Sequence, residues 1–263
     1  MNYEKLILKV VSLAEETGKF ILGESANLKS DDIILKGVNN FVTYVDRGSE
    51  ERLVAGLEKL LPGSGFIAEE NSDRTMKEFT WIIDPLDGTT NYIHGIPVFS
   101  ISIALMEQED IIAGVVYEIN QKERFYTWKG ASSYLNGQQI HVSDRKSISD
   151  SLFATGFPYY DYTWIKEYLD LFRHLMQHSR GIRRLGSAAA DMAWVACGRF
   201  DGFFEYGLNP WDVAAGSILV QNAGGLVTDF RGKSNYLFGK EIIATNTHIQ
   251  SDFISLFKTW SRE

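Results

Sequence analysis

An apolar run that ends abruptly in two carboxylates constrains this 263-residue chain more than any other feature. In Trp81-Ile82-Ile83-Asp84-Pro85-Leu86-Asp87-Gly88-Thr89-Thr90-Asn91 the first three residues read as a strand anchored in a core. Pro85 fixes one backbone torsion and Gly88 lets the chain turn back, so both acids can be aimed into one small volume. Like charges held that close repel strongly unless a cation lies between them. The plain alternative for an Asp-Gly pair is an Asx-type turn capping the next element.

The same pattern recurs twice. Phe66-Ile67-Ala68 runs into Glu69-Glu70 after the turn Pro62-Gly63-Ser64-Gly65, and Asp212 follows Trp211 at the start of an apolar helix. Helix capping alone would also account for Asp212. Taken together, three element ends carrying acids point to a hard-cation site of oxygen ligands, because Mg²⁺ prefers carboxylate oxygens and has little use for Cys or His. His94, His141, His174, His178 and His248 show no ligand spacing, and His94 reads as a turn residue. With Glu69, Asp84, Asp87 and Asp212 ionised, two Mg²⁺ balance the carboxylates and a third offsets a phosphate dianion, which suits a phosphorylated small molecule. Gly88 and Thr89 offer backbone N–H groups at a turn into a possible helix, a cradle for phosphate.

The charge balance narrows the partners. There are 26 Lys+Arg against 34 Asp+Glu, a formal net charge of -8, and no basic block of nucleic-acid-binding length. That argues against a nucleic-acid polymer or a polybasic membrane anchor. Cys197, the one cysteine, sits in the apolar run Met192-Ala193-Trp194-Val195-Ala196-Cys197 and reads as core; with no disulfide or CxxC site to build, a cytoplasmic setting is expected. Near the N-terminus Lys9 splits the apolar run Leu6 to Leu13, and Glu15, Glu16 and Lys19 follow, so the segment reads as an amphipathic helix and not as a signal peptide. No run of 18 apolar residues marks a membrane span.

Periodicity predicts helices over about 3–23 and 47–61, then strands at Phe66–Ala68, Trp81–Ile83, Val98–Met106, Ile111–Tyr117 and Arg124–Trp128, with a hairpin turn at Asn136-Gly137. From about residue 147 strands and helices alternate: a strand at Leu152–Thr155, helices near 163–178 and 187–197, a strand at Phe203-Phe204, a helix over 211–223 ended by Gly224-Gly225, a strand at Ile242–Ala244 and a helix at 248–260. The fold class is α/β (α+β). Residues 1–263 read as a single catalytic unit, an N-terminal α+β half over 1–146 meeting a C-terminal α/β half over 147–263 at a cleft.

Competing motifs fail in context. Gly63-Ser64-Gly65-Phe66-Ile67-Ala68 matches GxGxxA but leads into a strand, the reverse of a dinucleotide site, and no P-loop, HExxH or GxSxG occurs. The Asp84-x-x-Asp87 spacing also differs from the DxDxT of haloacid-dehalogenase-like phosphatases, where one Asp is the nucleophile. What the residues do resemble is the inositol monophosphatase family, within the Mg²⁺-dependent, Li⁺-sensitive phosphatases that include fructose-1,6-bisphosphatase. Asp84-Pro85-Leu86-Asp87-Gly88-Thr89-Thr90-Asn91 looks like its DPxDGTTN signature, Trp211-Asp212-Val213-Ala214-Ala215-Gly216 like its second signature, and Glu69-Glu70 like its acidic pair, in the family's order and spacing across most of the chain.

That resemblance implies a layered αβαβα sandwich, a homodimer, and hydrolysis of a phosphate monoester by direct attack of metal-activated water. It implies two or three Mg²⁺: Glu69, Asp84 and the Leu86 carbonyl on the first, Asp84, Asp87 and Asp212 on the second, and a weaker third near Glu69. Glu69 and Thr89 would activate the water, with Asp46 of Thr43-Tyr44-Val45-Asp46 bonded to Thr89; the bland alternative makes Asp46 the N-cap of the next helix. Gly186-Ser187-Ala188 and Glu205 resemble contacts to the alcohol, Arg183 lies near that loop, and Lys36 resembles a mobile-loop residue near the metals. Inositol monophosphate is the substrate the resemblance favours, with NADP(H), fructose-1,6-bisphosphate or a nucleotide 3′-phosphate as alternatives, and residues 209–210 leave ring specificity open. A non-catalytic protein that binds metal and phosphate is the alternative from another class.

Overall fold

The computed structural model describes residues 1–28, 34–37, 40–70, 75–158 and 161–257, without the side chains of 35–37, 40 and 41. Helix α1 (Tyr3–Glu24) is followed by a two-stranded hairpin, β1 (Ile34–Gly37) and β2 (Asn40–Val42), and by α2 (Tyr44–Leu60). Strands β3 (Gly65–Ala68) and β4 (Phe79–Asp87), the short helix α3 (Thr89–Ile93), and strands β5 (Ser100–Glu107), β6 (Asp110–Glu118), β7 (Glu123–Trp128), β8 (Ser133–Leu135) and β9 (Gln138–Ile140) follow. The second half runs β10 (Phe153–Thr155), α4 (Ile165–His178), β11 (Ile182–Arg183), α5 (Ala188–Ala196), β12 (Gly202–Tyr206), α6 (Pro210–Asn222), β13 (Leu226–Thr228), β14 (Glu241–Thr245) and α7 (Gln250–Ser255).

Two mixed sheets form, one ordered β3-β4-β5-β6-β7-β8-β9 and the other β11-β10-β12-β14-β13. In the first only β3 and β4 run parallel; in the second β10 is parallel to both its neighbours. Alternation along the strands explains the layering. Trp81, Ile83, Ile101, Ile103 and Leu105 face α1 and α2, whereas Ile82, Ala104 and Met106 face α5 and α6. On the far side of the second sheet Phe153, Phe204 and Ile243 pack on Tyr168, Leu171 and Leu175 of α4 and Phe253 of α7. The order is therefore helices, sheet, helices, sheet, helices, the expected αβαβα sandwich.

The middle layer has its own sequence logic. Helices α5 (AAADMAWVA) and α6 (PWDVAAGSILVQN) are small and apolar around most of their circumference because sheets cover them on two sides. A Cβ on Gly114 of β6 would lie 2.8 Å from the Ala215 carbonyl oxygen, so only glycine lets α6 approach the sheet this closely. The predicted helices and the longer strands are present to within a few residues. The β1–β2 hairpin, β11 and β13 carry too little apolar alternation to stand out in the sequence. Lys36, expected in a loop, lies in β1, with its side chain outside the described residues; residues 258–260 of the predicted last helix also lie outside them.

Candidate active site

Asp84 and Asp87 are three residues apart, which on a regular strand would put them on opposite faces. The register against β5 shifts between them: Asp84 pairs with Ser102 and Asp87 with Ser100, so three steps on β4 match two on β5. The extra residue falls at Pro85-Leu86, and this bulge returns both acids to the face that looks at α5 and α6. The two serines opposite them are small and buried, and each ties down a segment from the second half of the chain. Ser102 Oγ donates to the Trp211 carbonyl at 2.9 Å, fixing the residue before Asp212. Ser100 Oγ lies 3.0 Å from Ser187 Oγ, which donates to Asp87 Oδ2 at 2.7 Å.

Capping and clustering prove to be compatible roles. Asp87 Oδ2 also accepts the Ala189 N–H at 2.7 Å, which makes it a partner of the first turn of α5. Asp84 Oδ1 accepts the Leu86 N–H at 2.9 Å, and Asp212 Oδ2 accepts the Asn209 N–H at 2.7 Å in a capping box. Asp46 is not the N-cap of α2; Thr43 is, and Asp46 Oδ2 accepts from the Thr43 N–H at 2.8 Å and hydroxyl at 2.6 Å. Its Oδ1 accepts from Thr89 Oγ1 at 2.8 Å, the bond the family resemblance implied. Thr89 Oγ1 is also 3.0 Å from the Leu86 carbonyl oxygen, so its single proton has two acceptors.

Crowding sets the protonation. Burial, then the charges of Glu69, Asp87 and Asp212, push Asp84 well above the usual carboxylate range. Burial and then Asp87 push Asp212 up to about 7, against its bonds to Asn209 and Asp84. Burial raises Asp87 to about 6, opposed by Ser187, Ala189 and Arg184. Asp84 and Asp212 hydrogen-bond each other, which requires a proton on one of them. Among the described residues no three acids, histidines or cysteines stand close enough together to hold a metal ion as they are placed. Glu69 follows β3, whose Ala68 pairs with Ile83 beside Asp84.

Gly88 (φ +99°) makes the turn that a side chain would strain, and a Cβ there would stand 3.1 Å from the Gly186 carbonyl oxygen, so this turn and the Gly186-Ser187-Ala188 loop touch. Asn91 clamps them, its Nδ2 donating to the Val98 and Leu185 carbonyls at 2.7 Å each. The Ser187 hydroxyl is committed to Asp87. Glu205 on β12 is 6% exposed, and among the described residues no hydrogen bond or ion pair ends on its carboxylate; burial, then Asp212 and Asp87, hold it well above its ordinary range. The cation acting on Asp87, Asp191 and Glu205 is Arg184. Arg183 is exposed and donates to the Ile182 carbonyl at 3.0 Å.

The model of the Inositol monophosphatase family matches residues 2–260. The chain belongs to that family. It is 37% identical to an inositol-1-monophosphatase of Mesorhizobium japonicum over 260 residues, 98% of each chain. It is 41% identical over 240 residues, 89% of each chain, to a Pseudomonas aeruginosa protein called Nus factor SuhB. The solved structure of the extragenic suppressor protein suhB from Bartonella henselae, 38% identical, superposes with a TM-score of 0.91 over 97% of this chain and 98% of that one. The chain is thus a phosphatase of a metal-dependent family. Within its site, sequence reasoning missed Glu50, one turn after Asp46 on α2, whose Oε2 accepts the Glu70 N–H at 2.8 Å and anchors the acidic pair. It also missed Asn91 as a clamp, Arg184 as the charge, and Asp191, a buried acid on α5. The i,i+4 spacing of Asp46 and Glu50, and the place of Asn91 at the end of the quoted signature, were the available signals.

Proposed function

We propose that this phosphatase hydrolyses the monophosphate of a small polyol, inositol monophosphate first among them, by transfer of the phosphoryl group directly to water. The observation that carries the reading is the pairing of a crowded acid cluster, Glu69, Asp84, Asp87 and Asp212, with a buried Glu205 carboxylate to which no group among the described residues donates. The cluster fits a hard divalent cation, since its donors are all oxygens and the repulsion that keeps protons on it is what a cation would relieve. Glu69, Asp84 and the Leu86 carbonyl would hold one Mg²⁺, Asp84, Asp87 and Asp212 another, with a third near Glu69. When bound, Mg²⁺ supplies charge to the phosphate oxygens and acidifies water.

This chain's residues do the rest. Thr89, its proton turned to Asp46 or to the Leu86 carbonyl, presents a lone pair that accepts a hydrogen from the attacking water and aims it, while Glu69 takes up the proton released; as the new P–O bond forms the ester P–O bond breaks, and the departing alkoxide takes one proton, balancing that loss, to leave as the free alcohol. The backbone N–H groups of Gly88 and Thr89 hold the phosphate. Glu205 accepts hydroxyls of the alcohol beside Gly186, Ser187 and Ala188. With Asp84 and Asp87 both occupied as ligands, neither is free to attack phosphorus.

Residues 1–263 would act as one unit, in the cytoplasm and as a homodimer. The test is a panel of phosphate esters compared by kcat/KM with Mg²⁺ and with EDTA. Inositol monophosphate should lead NADP(H), fructose-1,6-bisphosphate and nucleotide 3′-phosphates, with all turnover lost in EDTA. A nucleotide at the head of the panel would reject the polyol reading, and no Mg²⁺-dependent release from any ester would favour the non-catalytic protein that binds metal and phosphate.

A further inference from the structure

Glu205 follows Phe204, whose partner in the parallel ladder is Thr155; the residue just past the end of that neighbouring strand is Gly156. Phe203 belongs to the middle-layer core and Phe204 to the outer one, so strand alternation turns Glu205 toward α5 and α6, the side of the acid cluster. The carboxylate lies directly on Gly156. A Cβ built there would fall closer than 3.0 Å to Cδ, Oε1 and Oε2 together, so any side chain at 156 displaces the whole carboxylate. Because Gly156 is buried and its φ is not in the left-handed region, it is this close approach and no turn requirement that calls for glycine.

The Gly156 backbone is fixed from the opposite face. Tyr168 of α4, 1% exposed and packed in the outer core, donates its hydroxyl to the Gly156 carbonyl at 2.8 Å. Thr155 Oγ1 donates to the Phe204 carbonyl at 2.7 Å and lies 3.1 Å from the same Tyr168 hydroxyl. The strand end is therefore held by a tyrosine below and supports a carboxylate above, although Tyr168 itself lies on the other side of the sheet from the site.

We propose that Gly156, held by Tyr168, is a positioning residue that sets where the Glu205 carboxylate stands and so determines selectivity for hydroxyl-bearing leaving groups. This deepens the polyol reading and rests on Glu205 accepting substrate hydroxyls. Adding one methyl at 156 pushes the acceptor off its place without touching the metal-binding acids, so the loss falls on substrates that offer hydroxyls. Shortening Glu205 by one methylene withdraws the carboxylate from the space the methyl takes.

The test compares inositol 1-phosphate with p-nitrophenyl phosphate, which offers no alcohol hydroxyl, in wild type, Glu205→Gln, Glu205→Asp, Gly156→Ala, the Gly156→Ala/Glu205→Asp double variant and Tyr168→Phe. Gly156→Ala should raise KM for inositol 1-phosphate about tenfold, as loss of a bond to a charged acceptor does, with kcat and the aryl ester much less affected. The double variant should show the KM of Glu205→Asp alone, because the clash is gone. Tyr168→Phe keeps the ring and loses the anchor, and should raise the polyol KM about two- to threefold; it decides the matter if Gly156→Ala does not fold. Equal losses on both esters, or additive losses in the double variant, overturn the positioning role while leaving the polyol reading intact if Glu205→Gln still raises KM. An unchanged polyol KM in Glu205→Gln overturns both.

Discussion

The carboxylates of the cleft and the buried Glu123 outside it behave in opposite ways. In the cleft, burial raises Asp84, Asp87, Asp191, Glu205 and Asp212, and neighbouring carboxylates push all of them but Asp87 further up. Away from the cleft, Glu123 at the start of β7 is also buried, but its Oε2 accepts from Arg199 Nη1 at 2.7 Å and from Trp194 Nε1 at 3.1 Å, and its Oε1 from Arg199 Nη2. Burial pushes Glu123 up, but the Arg199 and Trp194 bonds outweigh it and hold the group below its ordinary value. A buried acid that folding alone required would come with its partners, as Glu123 does. The cleft acids lack enough of them, and that shortfall marks the place where something other than protein completes the structure.

The largest expected effect breaks the comparison on the side of the cleft. Asp87→Asn keeps an acceptor for Ser187 and Ala189 but removes a charge from the cluster. Phosphate release should drop about a thousandfold or more, since a lost metal ligand forfeits several kcal/mol of transition-state stabilisation and each 1.36 kcal/mol is tenfold. The melting temperature of the metal-free variant should not fall, because a repelling charge has gone. A fully active variant, or one destabilised as a paired acid would be, would place Asp87 with Glu123 and outside the site.

How much of this was legible depends on how far along the chain a cause lies from its effect. The acids at the ends of β3, β4 and α6 were readable because each follows its own apolar run within a few residues. The bulge that turns Asp84 and Asp87 to one face was only half readable: Pro85 signals an irregular strand, but the extra residue is defined by pairing with Ser100 and Ser102 on β5. Those serines look like breaks in an apolar strand, and their role appears only once Ser187 and Trp211, about a hundred residues away, are in place. Arg183 was singled out for its nearness to the loop, yet its neighbour Arg184 faces the acids, since adjacent side chains diverge and no pattern says which one turns in. Gly156 gives no local sign at all, because what requires it is the head of a side chain on another strand.

On the other side of the comparison, Glu123→Gln should cost about 1–3 kcal/mol of unfolding free energy, as expected when one partner of a buried pair is removed and the Arg199 left behind is still partly reached by water. Urea denaturation would measure the loss, and kcat and KM on the best substrate should stay within about twofold. A loss of activity without a loss of stability would mean that the cleft and Glu123 communicate through α5, which carries Trp194, and that the contrast between them is too sharp.

The smallest effect is the one that compares the cleft with Glu123 in a single measurement. In the metal-free protein Asp87 titrates near 6 and Asp212 near 7, against 3.8 for an ordinary aspartate, so between pH 4 and 7 the folded state holds more protons than the unfolded chain. Stability from these groups is fully present below the unfolded value and is lost as pH rises through the folded ones. Glu123 has the opposite sign: its contribution is present above the unfolded value and lost as pH falls through its depressed one. From pH 5.5 to 7.5 Glu123 is ionised throughout and contributes no slope, leaving the cleft to decide. The melting temperature in EDTA should therefore fall over that range, by about 5 °C after allowance for the open side of the cleft, where 1 kcal/mol corresponds to about 2–4 °C for a chain this long. Saturating Mg²⁺ should flatten the slope, because the ion takes the place of the protons and binds better as they leave, and Asp212→Asn should flatten part of it without metal. A melting temperature in EDTA that rises across this interval would mean that the cleft acids are paired as well as Glu123 is, and the reading of the cluster as a site completed by a cation would lose its electrostatic support.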